Sequence, residues 1–507
     1  MSAARGEGVA ARAGTAAWLA VAAGTIGALM ATLDISVVNA SLPTIQGEIG
    51  ANGSEATWIS TAYLVAEIIM IPLAGWLSKI FSLRNFLLIV ATLFTLFSMW
   101  CGVSESLMQM VIGRVGQGFT GGAMIPTALT IVATRLPPRQ QPVGVALFGM
   151  TAVLGPVLGP VTGGWLTENF SWHYSFFLNL PIGISLVVLL LIGLPAERVR
   201  WREFRNVDVL GLLGLILGLG GLTIVLEEGQ RALWFQSDMI CDLSVISLVG
   251  MALLVAGQFV ARKPVIQLRI LLDRSFAGVF IVSLATGAAL YGILYIIPQF
   301  LVAIAGYNAE QSGYVTAISG VPTLVMLALF PLLVRVVDIR AAIAFGLLLY
   351  GVSCLMDAHL TPDSAGPEFF WSQVIRGFAQ FFALLFLNQA ATDSVSRRYA
   401  EDASGLFNAA RNLGGSFGLA AIATLLDQRT SFHVARLAES ITANSIAGQM
   451  VVRQHGLAAL NLAIQGQAMV MAYADLYWVF GVALVVMIPL VLLLRPRPWH
   501  ARAGGAA

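Results

Sequence analysis

Fourteen long apolar segments run through this sequence, and the gaps between them are alternately rich and poor in Lys and Arg. Of the 28 Lys and Arg residues, 21 lie in the two tails or in the even-numbered gaps. Only four lie in odd-numbered gaps, and three, Arg114, Arg376 and Arg411, lie inside apolar segments. Basic loops stay on the cytoplasmic side of a membrane. The pattern therefore predicts an all-α polytopic membrane protein of 14 transmembrane helices, with both termini in the cytoplasm.

The composition excludes most other classes of protein. Hydrophobic residues make up 58% and charged residues 11% of the chain, too few charges to cover a soluble protein of 507 residues. A net charge of +2 gives no reason to expect a nucleic-acid partner. The three cysteines have neither disulfide nor metal spacing. We expect membrane lipid around the chain, and no metal or cofactor in it.

Three blocks follow from the positions of the long gaps. Residues 1–194 are predicted to form a six-helix bundle containing spans 1–6. Residues 195–274 hold a cytoplasmic linker and two inserted helices, spans 7 and 8. Residues 275–507 form a second six-helix bundle, spans 9–14, with an outer loop at 428–473 that we expect to form one or two amphipathic helices lying on the outer face.

A weak internal repeat supports two equivalent bundles. Span 4 contains Arg114 followed one turn later by Gln117, and span 12 contains Arg376 followed by Gln380. Two parallel six-helix halves with a site between them are a transporter architecture. The repeat therefore favours a transporter architecture.

Charged residues inside the spans are the first candidates for function, because a charge in a bilayer is costly unless it meets a partner or water. Arg114 lies roughly 10 Å inside its span at 1.5 Å per residue, at a depth compatible with Asp34 in span 1. The alternative is a buried pair that only locks two helices together. Glu67 lies near the predicted midplane of span 2 with no cation within one helical turn. We expect it to be partly protonated there, and it could bind cations, exchange protons or serve only as a structural acid.

Span 5 contains a regular series of small and helix-bending residues. Glycines four residues apart allow a neighbouring helix to approach closely, and prolines remove backbone donors and bend the helix. We interpret the series as a seam that packs tightly and moves. Its members are Gly155, Pro156, Gly159, Pro160, Gly163 and Gly164.

These motifs resemble those of one family. Residues 33–43 resemble the first-helix motif of the drug:proton antiporters of the major facilitator superfamily, and span 4 resembles its Arg-x-x-Gln-Gly motif. Residues 155–164 resemble its antiporter motif, and residues 172–183 are similar to the 14-helix EmrB/QacA branch. Asn408 and Arg411 in span 13 also fit EmrB-like members. One departure is Lys79, which replaces the acid usual between helices 2 and 3 and puts that acid's charge relay in doubt.

The resemblance implies proton-driven efflux of hydrophobic or amphipathic drugs across the inner membrane by alternating access. Asp34, Arg114 and Glu67 are expected to couple protons to transport. It also implies a periplasmic adaptor, an EmrA-like membrane fusion protein, and an outer-membrane channel. The 428–473 loop is expected either to contact the adaptor or to rest as a lid on the outer ends of the transporter's own helices. The residues expected to bind substrate are Glu67, Asn39, Gln117, Arg376, Gln380, Arg411 and Asn408.

Two alternatives stay open. The chain could be a proton-linked transporter of a single metabolite, fatty acid or lipid. An intramembrane enzyme is the more remote alternative, because the spans lack the His, Cys or metal cluster that such an enzyme needs. The sequence also has no phosphate-binding loop of the Gly-x-x-x-x-Gly-Lys-Ser/Thr type, which argues against ATP hydrolysis.

Overall fold

The computed structural model describes residues 13–200, 207–261, 264–395, 399–441 and 446–494. Within these ranges the chain forms helices and no strand. Short 3-10 and π-helical turns connect or interrupt several of them. The α-helices are α1 (Thr15–Ile49), α2 (Gly53–Phe81), α3 (Leu83–Gly102), α4 (Leu107–Arg135), α5 (Gln141–Asn169), α6 (His173–Phe177), α7 (Asn179–Gly193), α8 (Val209–Leu215), α9 (Gly221–Glu228), α10 (Asp238–Val260), α11 (Arg274–Ala303), α12 (Ala309–Ala317), α13 (Gly320–Val336), α14 (Ile339–Asp357), α15 (Phe370–Gln380), α16 (Phe386–Asp393), α17 (Ala400–Ser440) and α18 (Ile446–Val486).

Twelve helical stretches of the described chain are long and apolar enough to cross a membrane. The other two long helices, α4 and α17, are not among the twelve. Both are rich in glycine and polar residues, and they carry Arg114 and Arg411. Each is packed among candidate spans, α4 against α1, α2 and α3, and α17 against α2, α11 and α18.

Local sequence explains where several helices begin and end. Asn52 and Glu55 form a capping box at the start of α2, each side chain accepting a hydrogen bond from the other's backbone N–H. Gly50 ends α1 with a φ of 73°, a left-handed conformation that glycine adopts without a steric penalty. The two prolines of α5 leave it one continuous helix.

Helices α1–α7, called the N-half here, and helices α11–α18, called the C-half, contain matching packing pairs. Helix α1 packs against α5 and α11 packs against α17. In the same way, α3 contacts α4 and α7, while α14 contacts α15 and α18. The inserted helices α8–α10 pack against one another, and α9 contacts both α2 and α17. These matching pairs are what a repeated six-helix unit would produce.

The tightest of these contacts depend on glycine. A Cβ at Gly159 of α5 would lie 2.1 Å from the Cβ of Ser36 in α1. In the C-half, a Cβ at Gly418 of α17 would lie 2.4 Å from the carbonyl oxygen of Ala288 in α11. Contacts this short exclude any side chain, so each pair of helices approaches through a glycine.

Both ends of the described chain lie on one face of the bundle, called the terminal face below. The Ala13 N–H donates to Gln140, and Arg335 donates to the Arg139 carbonyl next to it. Arg340 donates to the carbonyl of Leu494 at the other end of the chain. Loops such as 229–237 lie on the opposite face.

Two seams join the halves. Along one, α2 packs against α17; along the other, α5 packs against α12 and α13. The second seam is apolar: a Cβ at Gly320 would meet Val157 and Val153. The first seam carries ionisable side chains, Glu67 of α2 and Arg411 of α17 among them.

The outer segment differs from the flat amphipathic helices expected at 428–473. Helix α17 continues without a break to Ser440, which makes it about 60 Å long at 1.5 Å per residue and longer than a bilayer is thick. Helix α18 returns beside it, with a break at Gly456. Asp475 of α18 pairs with Arg429 (2.6 Å) and His433 (2.7 Å) of α17. The two helices therefore project as a hairpin: the segment is helical, as expected, but it extends α17 and α18 instead of forming separate helices on the outer face.

Candidate functional site

The first group of charged side chains, called the N-half cluster, lies between α1, α4 and α7. Arg114 Nη1 is 2.5 Å from Asp34 Oδ2, and both side chains are buried. The other carboxylate oxygen, Oδ1, accepts hydrogen bonds from Gln117 Nε2 (2.9 Å) and Asn179 Nδ2 (2.7 Å). Asp34 is thus held as an acceptor by three donors on two other helices.

The arginine of this cluster is equally well held. Arg114 Nε donates to the Ile59 carbonyl at 3.1 Å, and Nη1 also reaches Gln117 Oε1 at 3.1 Å. The ring of Tyr63 lies 4.3 Å from the guanidinium carbon, a cation–π distance. Sequence reasoning brought Asp34, Arg114 and Gln117 together but missed Tyr63 and Asn179. Asn179 could have been found, because it lies within the family motif at residues 172–183.

A second pair, the C-half cluster, lies between α14 and α15, the counterparts of α3 and α4. Arg376 Nη2 lies 2.7 Å from Asp357 Oδ2, and both residues are buried. Gln380 is only at the limit of hydrogen-bonding distance from Thr323 Oγ1, at 3.5 Å. Among the described residues, Arg376 Nε and Nη1 have no hydrogen-bond partner. Asp357 was missed because it is the last residue of α14, where an acid looks like an ordinary interfacial residue.

Glu67 lies in the α2–α17 seam and forms the third group, the seam cluster. It is buried, and it interacts electrostatically with Arg411 and Arg114. The side chain of Asn412 is within hydrogen-bonding reach of its carboxylate, and Asn412 Oδ1 accepts from Tyr291 of α11 at 3.4 Å. The expectation of a carboxyl without a nearby cation was wrong, because both arginines come from other helices that the sequence around Glu67 does not reveal.

The remaining predicted residues lie outside these groups. Asn39 is exposed and accepts a hydrogen bond from Ser60 at 2.7 Å. Asn408 is buried and donates to the Ser404 carbonyl within α17. The structure therefore does not gather the predicted substrate residues into one pocket.

The glycine and proline series of α5 divides between two neighbours. Gly155, Gly159 and Gly163 face α1, where an added Cβ would meet Thr32, Ser36 and Val37, respectively. Pro160 and Val161 face Gly313 of α12 in the other half. A Cβ added at Gly164 would meet no heavy atom within 4 Å, so this glycine does not share the tight packing.

Lys79 makes a contact that the sequence did not predict. Its Nζ lies 2.9 Å from Asp402 Oδ2 and 3.7 Å from Glu401 Oε2, both at the start of α17. The lysine therefore joins the two halves at the terminal face, in place of the acid-based relay that its position would otherwise hold.

Comparison with known proteins assigns this architecture to a family. Residues 24–419 match the Major Facilitator Superfamily. The chain is 34% identical over 429 residues to the colistin resistance protein EmrB of Acinetobacter baumannii, covering 84% of this chain and 83% of that one. It is 29% identical to the multidrug export protein EmrB of Escherichia coli (strain K12), covering 95% and 96%.

Among solved structures, the proton:xylose symporter XylE has a similar fold. Its TM-score is 0.61 at 15% identity, covering 94% of this chain and 95% of that one. The family match and the EmrB relatives confirm the expectation of a transporter over that of an intramembrane enzyme. The chain belongs to the major facilitator superfamily and, within it, to the EmrB-like multi-pass membrane transporters.

Proposed function

We propose that this protein exports hydrophobic and amphipathic drugs across the inner membrane in exchange for protons, by alternating access between its two halves. The observation that carries the proposal is the buried contact between Asp34 and Arg114. Relatives named for multidrug export and colistin resistance support drugs as the substrate class.

Protonation of Asp34 would have a definite structural consequence. The neutral acid no longer balances Arg114, and an uncompensated buried charge costs about 3–5 kcal/mol. Glu67 is the second carboxylate that interacts with Arg114. Proton binding at Asp34 would therefore shift Arg114 towards Glu67 in the α2–α17 seam, and so pass a change in the N-half to the contact between the halves.

Glu67 is the proposed site at which substrate charge is sensed. The Glu67→Gln variant should weaken export of lipophilic cations more than export of neutral drugs if the carboxylate binds substrate. Equal losses for both classes would instead assign it to obligatory proton transfer. Unchanged export of both classes would leave only a structural role.

For topology, we propose that α4 and α17 also cross the bilayer. This gives fourteen spans, arranged as 1–194, 195–274 and 275–507, with both termini in the cytoplasm. The basic loops near the terminal face support this orientation. Single cysteines introduced at the two termini and in the 229–237 loop can be labelled with an impermeant maleimide. Labelling of the termini in intact cells would refute the orientation.

For partners, we propose that the projecting α17–α18 hairpin contacts a periplasmic adaptor that connects to an outer-membrane channel. Replacing 435–465 with a short Gly-Ser linker should abolish co-purification of the adaptor while leaving the membrane-embedded helices folded. Unchanged co-purification would remove the hairpin from the docking surface.

The direct test of the function is reconstitution in proteoliposomes. An imposed proton gradient should drive accumulation of tetraphenylphosphonium or ethidium, and drug addition should move protons the other way. Proton-driven transport of a single fatty acid or metabolite, with no transport of structurally unrelated drugs, would support the alternative of a dedicated transporter. No proton-dependent flux of any of these would refute the proposal.

A further inference from the structure

Two consecutive acids, Glu227 and Glu228, end the inserted helix α9 where it lies against both halves. Consecutive residues of a helix point about 100° apart, so they reach different neighbours. Glu228 Oε1 accepts hydrogen bonds from Thr61 (3.0 Å) and Thr57 (3.3 Å) of α2, in the N-half. Its other oxygen pairs with Arg231 at 3.2 Å. Glu228 is therefore charge-balanced and fixes α9 to α2.

Glu227 points to the other half and has no such balance. Its Oε1 accepts a hydrogen bond from Ser416 Oγ of α17 at 2.8 Å. In the described part of the chain no Lys or Arg pairs with it, and the nearby Arg231 is taken by Glu228. The side chain is only partly buried. A carboxylate at the edge of a membrane span with a hydroxyl as its partner gains stability by binding a proton or another cation.

The position of Glu227 connects it to the seam cluster. Its partner Ser416 lies one helical turn beyond Asn412 on α17, about 6 Å along the helix axis. Asn412 in turn reaches Glu67. Glu227 and Glu67 thus occupy successive levels of the same seam, with Glu227 nearer the opposite face, where α9 ends.

We propose that Glu227 is a cation-binding station on the path between the opposite face and Glu67, occupied by a proton or by a lipophilic organic cation. Glu228 is a positioning residue that holds α9, and with it Glu227, against the seam. The inference rests on the proposed export function and extends it to the inserted helices, which the two-bundle architecture alone leaves without a role.

The test uses the full chain, purified and reconstituted, with three variants. Glu227→Gln removes the charge, and Glu227→Asp keeps it. Asp242→Asn is the matched control, because it removes an exposed carboxylate from the neighbouring inserted helix α10. Tetraphenylphosphonium and neutral chloramphenicol are compared as substrates, and proton flux is followed with a pH-sensitive dye.

If the station binds organic cations, Glu227→Gln should lower tetraphenylphosphonium export at least tenfold and chloramphenicol export less than twofold. If it binds protons, both exports and the proton flux should fall together by about tenfold. In either case Glu227→Asp should keep at least half of the wild-type rate, and Asp242→Asn should match the wild type.

Two results would overturn the inference. One is a Glu227→Gln variant that equals the wild type for both substrates and for protons. The other is an equal loss in Glu227→Asp and Glu227→Gln, which would show that side-chain shape and not charge matters. If the wild type itself exchanges no protons for drug, the proposed function fails. If it does and Glu227→Gln is unchanged, only this inference fails.

Discussion

The two halves bury an arginine at matching positions, yet the arginines have different surroundings. Arg114 contacts a carboxylate, a glutamine, a backbone carbonyl and an aromatic ring. Arg376 donates a hydrogen bond to Asp357, and within the described residues its Nε and Nη1 have no hydrogen-bond partner. The repeat has kept the arginine and the glutamine that follows it but not the network around them.

The helix that supplies each carboxylate explains why the two arginines have different surroundings. Asp34 comes from the middle of α1, the helix that packs against the glycine face of α5. Asp357 comes from the end of α14, which neighbours α15 within the same half. A change of charge at Asp34 therefore acts on a helix pair beside a seam between the halves. We expect Asp357 and Arg376 to anchor helices of the C-half instead.

The largest expected effect comes from replacing each arginine with lysine. Lysine keeps the charge but cannot make the separate contacts of a guanidinium. Arg114→Lys would lose at least two hydrogen bonds involving charged groups, each worth about 1.5–3 kcal/mol, so export should fall roughly 100-fold or more. Arg376→Lys can keep its single bond to Asp357 and should stay within about threefold. Equal losses, measured as ethidium efflux per folded molecule, would contradict the comparison.

Much of this contrast could not be predicted from the sequence. Helical periodicity placed Arg114 and Gln117 on one face, and span depth brought Asp34 to their level. Tyr63, Asn179 and Arg411 approach from other helices, and no local pattern states which helices will be neighbours. Glu67 was therefore misread as isolated. The helices expected in the outer segment are present, but the sequence did not show that they continue α17 and α18, because hydropathy does not mark helix ends outside the bilayer.

An intermediate effect is expected at the close glycine contacts between helices, which both halves contain. Gly159→Ala and Gly418→Ala each force a methyl group into a helix contact shorter than van der Waals distance. Overpacking of this kind costs about 1–3 kcal/mol. Both variants should lower the unfolding temperature in detergent by several degrees. Gly164→Ala, with no atom within 4 Å of its added methyl, is the control and should not. A lower unfolding temperature in only one of these two variants would show that the two helix pairs are not equivalent.

The smallest effect is expected at the terminal face, where Lys79 joins the halves. The lysine side chain is 40% exposed although Asp402 is buried, and screening by water at the lysine keeps the contribution of this ion pair at about 1 kcal/mol, the upper end of the range for surface pairs. Lys79→Met should therefore change the export rate by about twofold, and the exchanged pair Lys79→Asp with Asp402→Lys should restore it. If the exchanged pair is less active than Lys79→Met, attraction between these two side chains is not what holds the halves here.

Drug-induced proton release from the purified protein tests the central claim most directly, because it reports protonation without requiring transport. The account predicts that drug binding releases protons from the wild type and from Asp357→Asn. It predicts no release from Asp34→Asn, provided that size-exclusion profiles and drug binding show this variant to be folded. Undiminished release from folded Asp34→Asn, or release lost in Asp357→Asn but kept in Asp34→Asn, would contradict the assignment of proton coupling to the N-half.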